Sequence, residues 1–190
     1  MQGEGIVREG FLMCPGYAGV LDDTVLEEIF ADIFAGRVSE GKDVEFKEGF
    51  GWRSLAVYLK TMAGFANAEG GFLIFGVRDG SREPVGLDAG EARRFREMDG
   101  ERVSTDLRSC FSREILWGFR LVSFGGREFG VIGVERGRVR PVVAIRDVGG
   151  CYPARGDLLP VSFADDLYWA CGAGVDFGGG AAAVSGASFG

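Results

Sequence analysis

The 190-residue sequence predicts one α/β (α+β) domain, a mixed β-sheet packed with helices. Two observations carry this. Two helical segments, "DDTVLEEIFADIFAG" and "WRSLAVYLKTMAGFANAEGG", alternate with a strand-length "KDVEFKE" and the continuous apolar run "FLIFGV". Further on, "LWGFRLVSF" and "REFGVIGVE" flank Gly125-Gly126 and read as a β-hairpin. Hydrophobic residues make up 46% of the chain, enough for one good core and a small appendage.

In order along the chain, residues 1–20 are punctuated by glycine and read as a loosely ordered N-terminus ahead of a domain at 21–171. A helix follows over 24–36. Asp22, Asp23 or Thr24 caps it, Leu26, Ile29, Ile33 and Phe34 form its apolar stripe, and Gly36 ends it. Alternation marks a strand at Asp43–Lys47. A second helix, 53–66, carries Leu55, Leu59, Met62 and Ala66 at helical spacing, with Asn67 and Gly70-Gly71 as its stop. The run 72–77 has the length and apolarity of a central strand buried on both faces. "EPVGLD" reads as a short strand or turn, and 89–110 as an Arg-rich helical stretch. After the hairpin, "RPVVAIRD" and "CYPARG" suit a second one, with Pro153 demoting the later arm to an edge. Residues 162–171 suit a last short helix, and the Gly/Ala/Ser-rich 172–190 a disordered tail.

Composition excludes several chemistries. There is no histidine, so Ser-His-Asp and Cys-His triads are ruled out and any general base is a carboxylate or a neutralised lysine. Cys14, Cys110, Cys151 and Cys171 form no C-x-x-C, which disfavours a structural zinc site and fits a reduced, cytoplasmic setting. No run of eighteen apolar residues exists, and the acidic, Gly-broken start lacks the features of a signal peptide. The net charge of −7 argues against strong non-specific binding to nucleic acid. That charge is uneven. Residues 1–91 hold 8 basic against 16 acidic groups, whereas 92–140 hold 11 arginines against 7 acids. Such an arrangement could set a phosphate-binding rim beside a carboxylate cluster, or be solvated surface in a chain that simply favours arginine.

Alternation on the first strand puts Glu45 and Lys47 on one face and Val44 and Phe46 on the other. The pair reads either as incidental charge on a half-exposed strand or as one edge of an active site. Neither G-x-x-x-x-G-K-[ST] nor G-x-G-x-x-G is present, so nucleotide binding by either route has no support. What remains is a carboxylate set. Glu40 precedes the strand, Glu45 lies on it, and Asp79 follows the buried run. If the two strands pair, these acids can converge on Mg²⁺ or Mn²⁺, hard cations that prefer oxygen ligands, with Lys47 steadying charge at a phosphodiester.

The stretch "SEGKDVEFKEGF…LKTMAGFANAEGGFLIFGVRDGSREPVGLD" resembles the Schlafen AlbA_2 family. Its pattern runs E-S-x-x-x-E-F-K, then K-x-x-x-A-F-A-N-x-x-G-G, then a strand ending G-V-x-D-[DG], then V-G-L. The likeness is dense over about residues 38–88 and continues weakly to "CYPARGD". It implies the AlbA_2 fold and a nucleic-acid-acting protein. By analogy with the Schlafen ribonucleases it implies a metal-dependent endoribonuclease on structured RNA. Glu40, Glu45 and Asp79 would then ligate metal, and Lys47 would be the family lysine. Other members are labelled DNA-binding or transcriptional regulatory modules, so a non-catalytic DNA- or RNA-binding regulator is the alternative; an older label was divergent ATPase.

The resemblance also offers Lys60 and Arg155 as phosphate contacts, each equally readable as an ordinary surface residue. Asn67 reads as a helix cap, and Trp52, Trp117 and Trp169 are too dispersed for a stacking platform. Three departures stand out. Gly41 replaces the usual serine, Pro153 interrupts the late strand, and no winged-helix segment follows. Schlafen cores pair two lobes, which implies that this single lobe forms a homodimer.

Overall fold

The computed structural model describes residues 21–38 and 41–145. Glu40, the arm "CYPARG" with Arg155, the helix expected at 162–171, Trp169, and the segments 1–20 and 172–190 lie outside the described residues. The elements are α1 (Asp23–Phe34), β1 (Val44–Lys47), α2 (Leu55–Asn67), β2 (Gly70–Phe75), α3 (Ala89–Arg96), α4 (Gly100–Cys110), β3 (Trp117–Phe124) and β4 (Arg127–Glu135). They build the mixed sheet that the sequence predicts, in the order β1-β2-β4-β3. β1 and β2 are parallel, joined through α2, while β4 is antiparallel to both β2 and β3.

The sheet is covered on both faces. Residues Val44, Phe46, Ile74, Val122, Phe129 and Val131 meet Leu26, Phe30 and Ile33 of α1. On the other face Leu73, Phe75, Phe119, Leu121, Ile132 and Val134 pack under α2, α3 and α4. A central strand flanked on both faces must be apolar throughout, which is why "FLIF" shows no alternation.

The caps follow their chemistry. Asp22 accepts from the Thr24 amide at the start of α1. Asp88 and Glu91 form a reciprocal capping box on α3. The Arg-rich stretch is two helices rather than one, because Asp99 takes the Glu101 and Arg102 amides and starts α4 afresh. The buried stripe of α1 is Leu26, Phe30 and Ile33, with Phe34 at the margin and 38% exposed. Phe30 lies over Phe129 at 5.0 Å, one turn beneath Leu26, and so takes the core position. α2 begins at Leu55, after a 3₁₀ turn at Trp52–Ser54.

Gly70 and Gly71 open β2 rather than forming the turn. A Cβ on Gly71 would lie 2.7 Å from both the Asp43 carbonyl and the Phe65 ring, so close strand–helix approach demands glycine here. Gly125 and Gly126 both have positive φ, 56° and 71°, the geometry of a two-residue hairpin turn.

Within the described residues the segment 140–145 adds no strand to the sheet, and the second arm of the hairpin expected there lies outside them. The segment makes an isolated bridge between Phe111 and Ala144 and is clamped by Asn67. The Asn67 amide donates to the Val142 carbonyl at 2.9 Å and accepts from the Val142 amide at 2.7 Å, standing in for a neighbouring strand. Arg140 donates to the Asn67 and Ala68 carbonyls, so the positive charge caps the end of α2. Among the described residues, no helix is long and apolar enough to cross a membrane.

Candidate functional site

β1 delivers Glu45 and Lys47 to the α2 side of the sheet, because Val44 and Phe46 occupy the α1 side. In register, Glu45 stands beside Leu73 and Lys47 beside Phe75. Both neighbours are core residues. An edge strand can carry charges here, since their stems lie along apolar surface while their heads reach water. Lys47 Nζ donates to Glu45 Oε1 at 2.5 Å, and the two side chains keep 26% and 20% of their exposure. A fully exposed pair would contribute about 0–1 kcal/mol. Partial withdrawal from water strengthens the attraction and raises the cost of leaving either charge alone.

The carboxyl end of β1 is tied to the end of β2. The Lys47 carbonyl accepts from the amides of Gly76 at 2.8 Å and Val77 at 3.2 Å. The chain then turns tightly through 78–83, where the Arg82 amide donates to the Arg78 carbonyl and the Arg78 amide to the Glu83 carbonyl. Arg78 holds Glu83 and reaches Glu48 at 3.3 Å, docking this loop on the residue that follows β1. Asp79 rides on the loop, exposed, and its carboxylate makes no ion pair or hydrogen bond among the described residues. Arg78 occupies the variable position of "GVRDG", and the sequence reading passed over it. Its only signal is position, directly after the last apolar residue of the buried run and directly before Asp79.

Pairing of β1 with β2 therefore puts Lys47 at the carboxyl end of two adjacent parallel strands and Asp79 beyond it, with Glu45 two residues back along β1. Among the described residues no three His, Cys, Asp or Glu side chains are grouped so as to hold a metal ion. The third carboxylate of the expected trio, Glu40, lies outside the described residues. Lys60 is half-buried on α2, with no ion pair or hydrogen bond among the described residues. α3 closes in from the other side. Gly49 lies so near its capping box that a side chain there would collide with the Glu91 carboxylate.

A family model described as Schlafen, AlbA_2 matches residues 40–157. The chain belongs to the Schlafen AlbA_2 family. Similar proteins include an uncharacterized ATP-binding protein of Ureaplasma parvum, 31% identical over 138 residues. That alignment covers 65% of this chain and 38% of the relative, so the chain spans well under half of the curated protein that it matches. Among solved structures, the DIP2311 protein of Corynebacterium diphtheriae is similar at 19% identity and a TM-score of 0.44. It covers 69% of this chain, which covers 29% of it. The N-terminal domain of a Nitrosomonas europaea protein, named for its relation to the ATP-dependent DNA helicase RecG, matches at 22% identity and a TM-score of 0.39. Coverage there is 72% of this chain and 96% of that domain. The AlbA_2 match begins at Glu40 and takes in β1, β2 and the 78–83 loop, so the candidate site lies wholly within it.

Proposed function

We propose that this AlbA_2 domain acts on nucleic acid, as a metal-dependent endoribonuclease that cuts structured RNA. The observation supporting this is the Glu45–Lys47 pair, partly withdrawn from water on β1, with Lys47 at the carboxyl end of two parallel strands. Ligands of open α/β sheets gather at that end of the strands. Glu40, Glu45 and Asp79 would hold Mg²⁺ or Mn²⁺. Carboxylate oxygens suit these hard ions, and the chain has no histidine to offer a softer alternative. Once bound, the ion would polarise the scissile phosphate and make water a better nucleophile.

The remaining roles belong to the chain itself. Lys47, which donates to Glu45 in the free protein, turns its ammonium to a phosphate oxygen when RNA arrives. Arg78 keeps the Asp79 loop against Glu48, fixing one carboxylate relative to the other. Lys60 and Arg155 extend the contact along the backbone. Overall acidity suits a folded RNA chosen by shape over bulk duplex DNA. A cytoplasmic homodimer would give the single lobe a two-sided groove. ATP has no part in this proposal, because the chain carries no phosphate-binding loop motif.

The excess of arginine over acid at 92–140 favours a second reading, a DNA- or RNA-binding regulatory module without catalysis. Arg94, Arg102 and Arg113 would then carry binding, their guanidinium groups making no ion pair among the described residues. One experiment separates the readings. Purified protein with Mn²⁺ is expected to cleave a tRNA-like folded RNA and to stop when the metal is chelated. If binding without cleavage is seen instead, the regulatory reading holds. Alanine at each phosphate-contacting arginine should then reduce the slope of log K against log salt by about 0.7–0.9.

A further inference from the structure

The three tryptophans differ in setting. Trp117 is buried at 3% exposure, with its indole N–H donating to Ser104, and Trp169 lies outside the described residues. Trp52 is 38% exposed, and its indole N–H has no hydrogen-bond partner among the described residues. An exposed indole usually stays mobile, but this one is held. Its 3₁₀ turn is closed by the Ser54 amide on the Gly51 carbonyl at 3.0 Å, and the Gly51 amide reaches the Tyr58 hydroxyl at 3.3 Å.

The ring is also linked to the candidate site through two successive aromatic contacts. Phe75, the register neighbour of Lys47, packs edge-to-face on Phe50 at 5.4 Å, and Phe50 meets Trp52 at 5.5 Å and 70°. An edge-to-face contact occupies at most one face of the indole, and Trp52 keeps 38% of its surface exposed. Arg53, next in the chain, is exposed and makes no ion pair among the described residues. An exposed indole followed in the chain by an uncommitted guanidinium, and joined through Phe50 and Phe75 to the strand that carries Lys47, offers complementary chemistry to one nucleotide: base on the ring, phosphate on the cation.

We propose that Trp52 is a stacking site for an unpaired nucleobase, with Arg53 on the adjoining phosphate. This rests on the nucleic-acid reading of the Glu45–Lys47 pair and adds to it a preference for RNA with an unpaired nucleotide at the site. The face accepts any base, so it selects for single-strandedness over sequence. Purines stack best on it.

The test measures binding by the full chain, in metal-free buffer, of a short oligoadenylate and of a fully paired RNA duplex. Trp52→Ala is expected to weaken oligoadenylate binding about tenfold or more, and Trp52→Phe to keep most of it. Duplex affinity should not change with either variant. A second measurement needs no mutation: an oligomer of the same length with abasic sugars in place of adenosines should bind wild type about tenfold more weakly. Indole fluorescence should be quenched by oligoadenylate more strongly in wild type than in Trp52→Phe, which keeps Trp169 and the buried Trp117 as its emitters. Equal oligoadenylate affinity for Trp52→Ala and wild type, or an equal loss on duplex, overturns the stacking site and leaves the nucleic-acid reading standing. If wild type binds neither probe, both fall together.

Discussion

Glu45→Gln is expected to lower Mn²⁺-dependent cleavage of a folded RNA by about 10²–10³-fold, the effect of losing ~3–4 kcal/mol of transition-state stabilisation. The substitution keeps the size of the side chain and one oxygen to accept from Lys47, so the strand geometry should survive. It removes the negative charge that a metal would require. RNA affinity should stay level or tighten, since a carboxylate near phosphate has gone. Single-turnover cleavage and binding on the same RNA separate the two effects. Unchanged cleavage with weakened binding would place Glu45 outside the chemistry.

A larger structural effect is expected at Phe75→Ala. The Phe75 ring is fully buried and touches Phe50 at 5.4 Å, Tyr58 at 5.0 Å and Phe95 at 5.4 Å. Removing it leaves a cavity walled by rigid rings that cannot collapse inward, so the loss should reach about 3–5 kcal/mol. Against a total stability of about 5–15 kcal/mol, that brings the domain close to unfolding. Urea denaturation should show the midpoint falling with the slope unchanged. Phe34→Ala removes the same ring from a site 38% exposed and should cost far less. Similar midpoints for the two variants would show that the aromatic hub does not hold the α2 side of the sheet. Phe75 also backs Lys47, so Phe75→Ala should weaken the site before the fold is lost.

The cap of α1 and both faces of β1 could be read from local chemistry, whereas Asn67, read as a helix cap, holds Val142 instead. The alternation of "VEFK" and the capping Asp22 before "DTVLEE" each have a nearest-neighbour cause, and the structure follows them. Contacts between distant residues were less legible. That Phe30 rather than Phe34 fills the core depends on where α1 crosses β4. That "RPVVAI" becomes a clamped segment depends on an asparagine 75 residues earlier. Gly71 looked like turn material because its reason is steric, a helix ring and a strand carbonyl that only packing brings together.

At the site the same division holds. The Glu45–Lys47 pair follows from period two, and its position at the end of parallel strands follows from the strand–helix–strand order. Arg78 escaped notice and Trp52 reads as too isolated to stack bases, because the importance of each lies in what it touches across the fold. Arg78 bridges two loops, and Trp52 ends an aromatic chain that begins beneath Lys47.

The most direct measurement is a crystal structure grown with Mn²⁺ and mapped by anomalous scattering. The account predicts a peak at about 2.1 Å from carboxylate oxygens of Glu45 and Asp79, with Glu40 completing the set. A well-ordered site without manganese at saturating concentration, its Glu45 carboxylate still closed on Lys47, would contradict it.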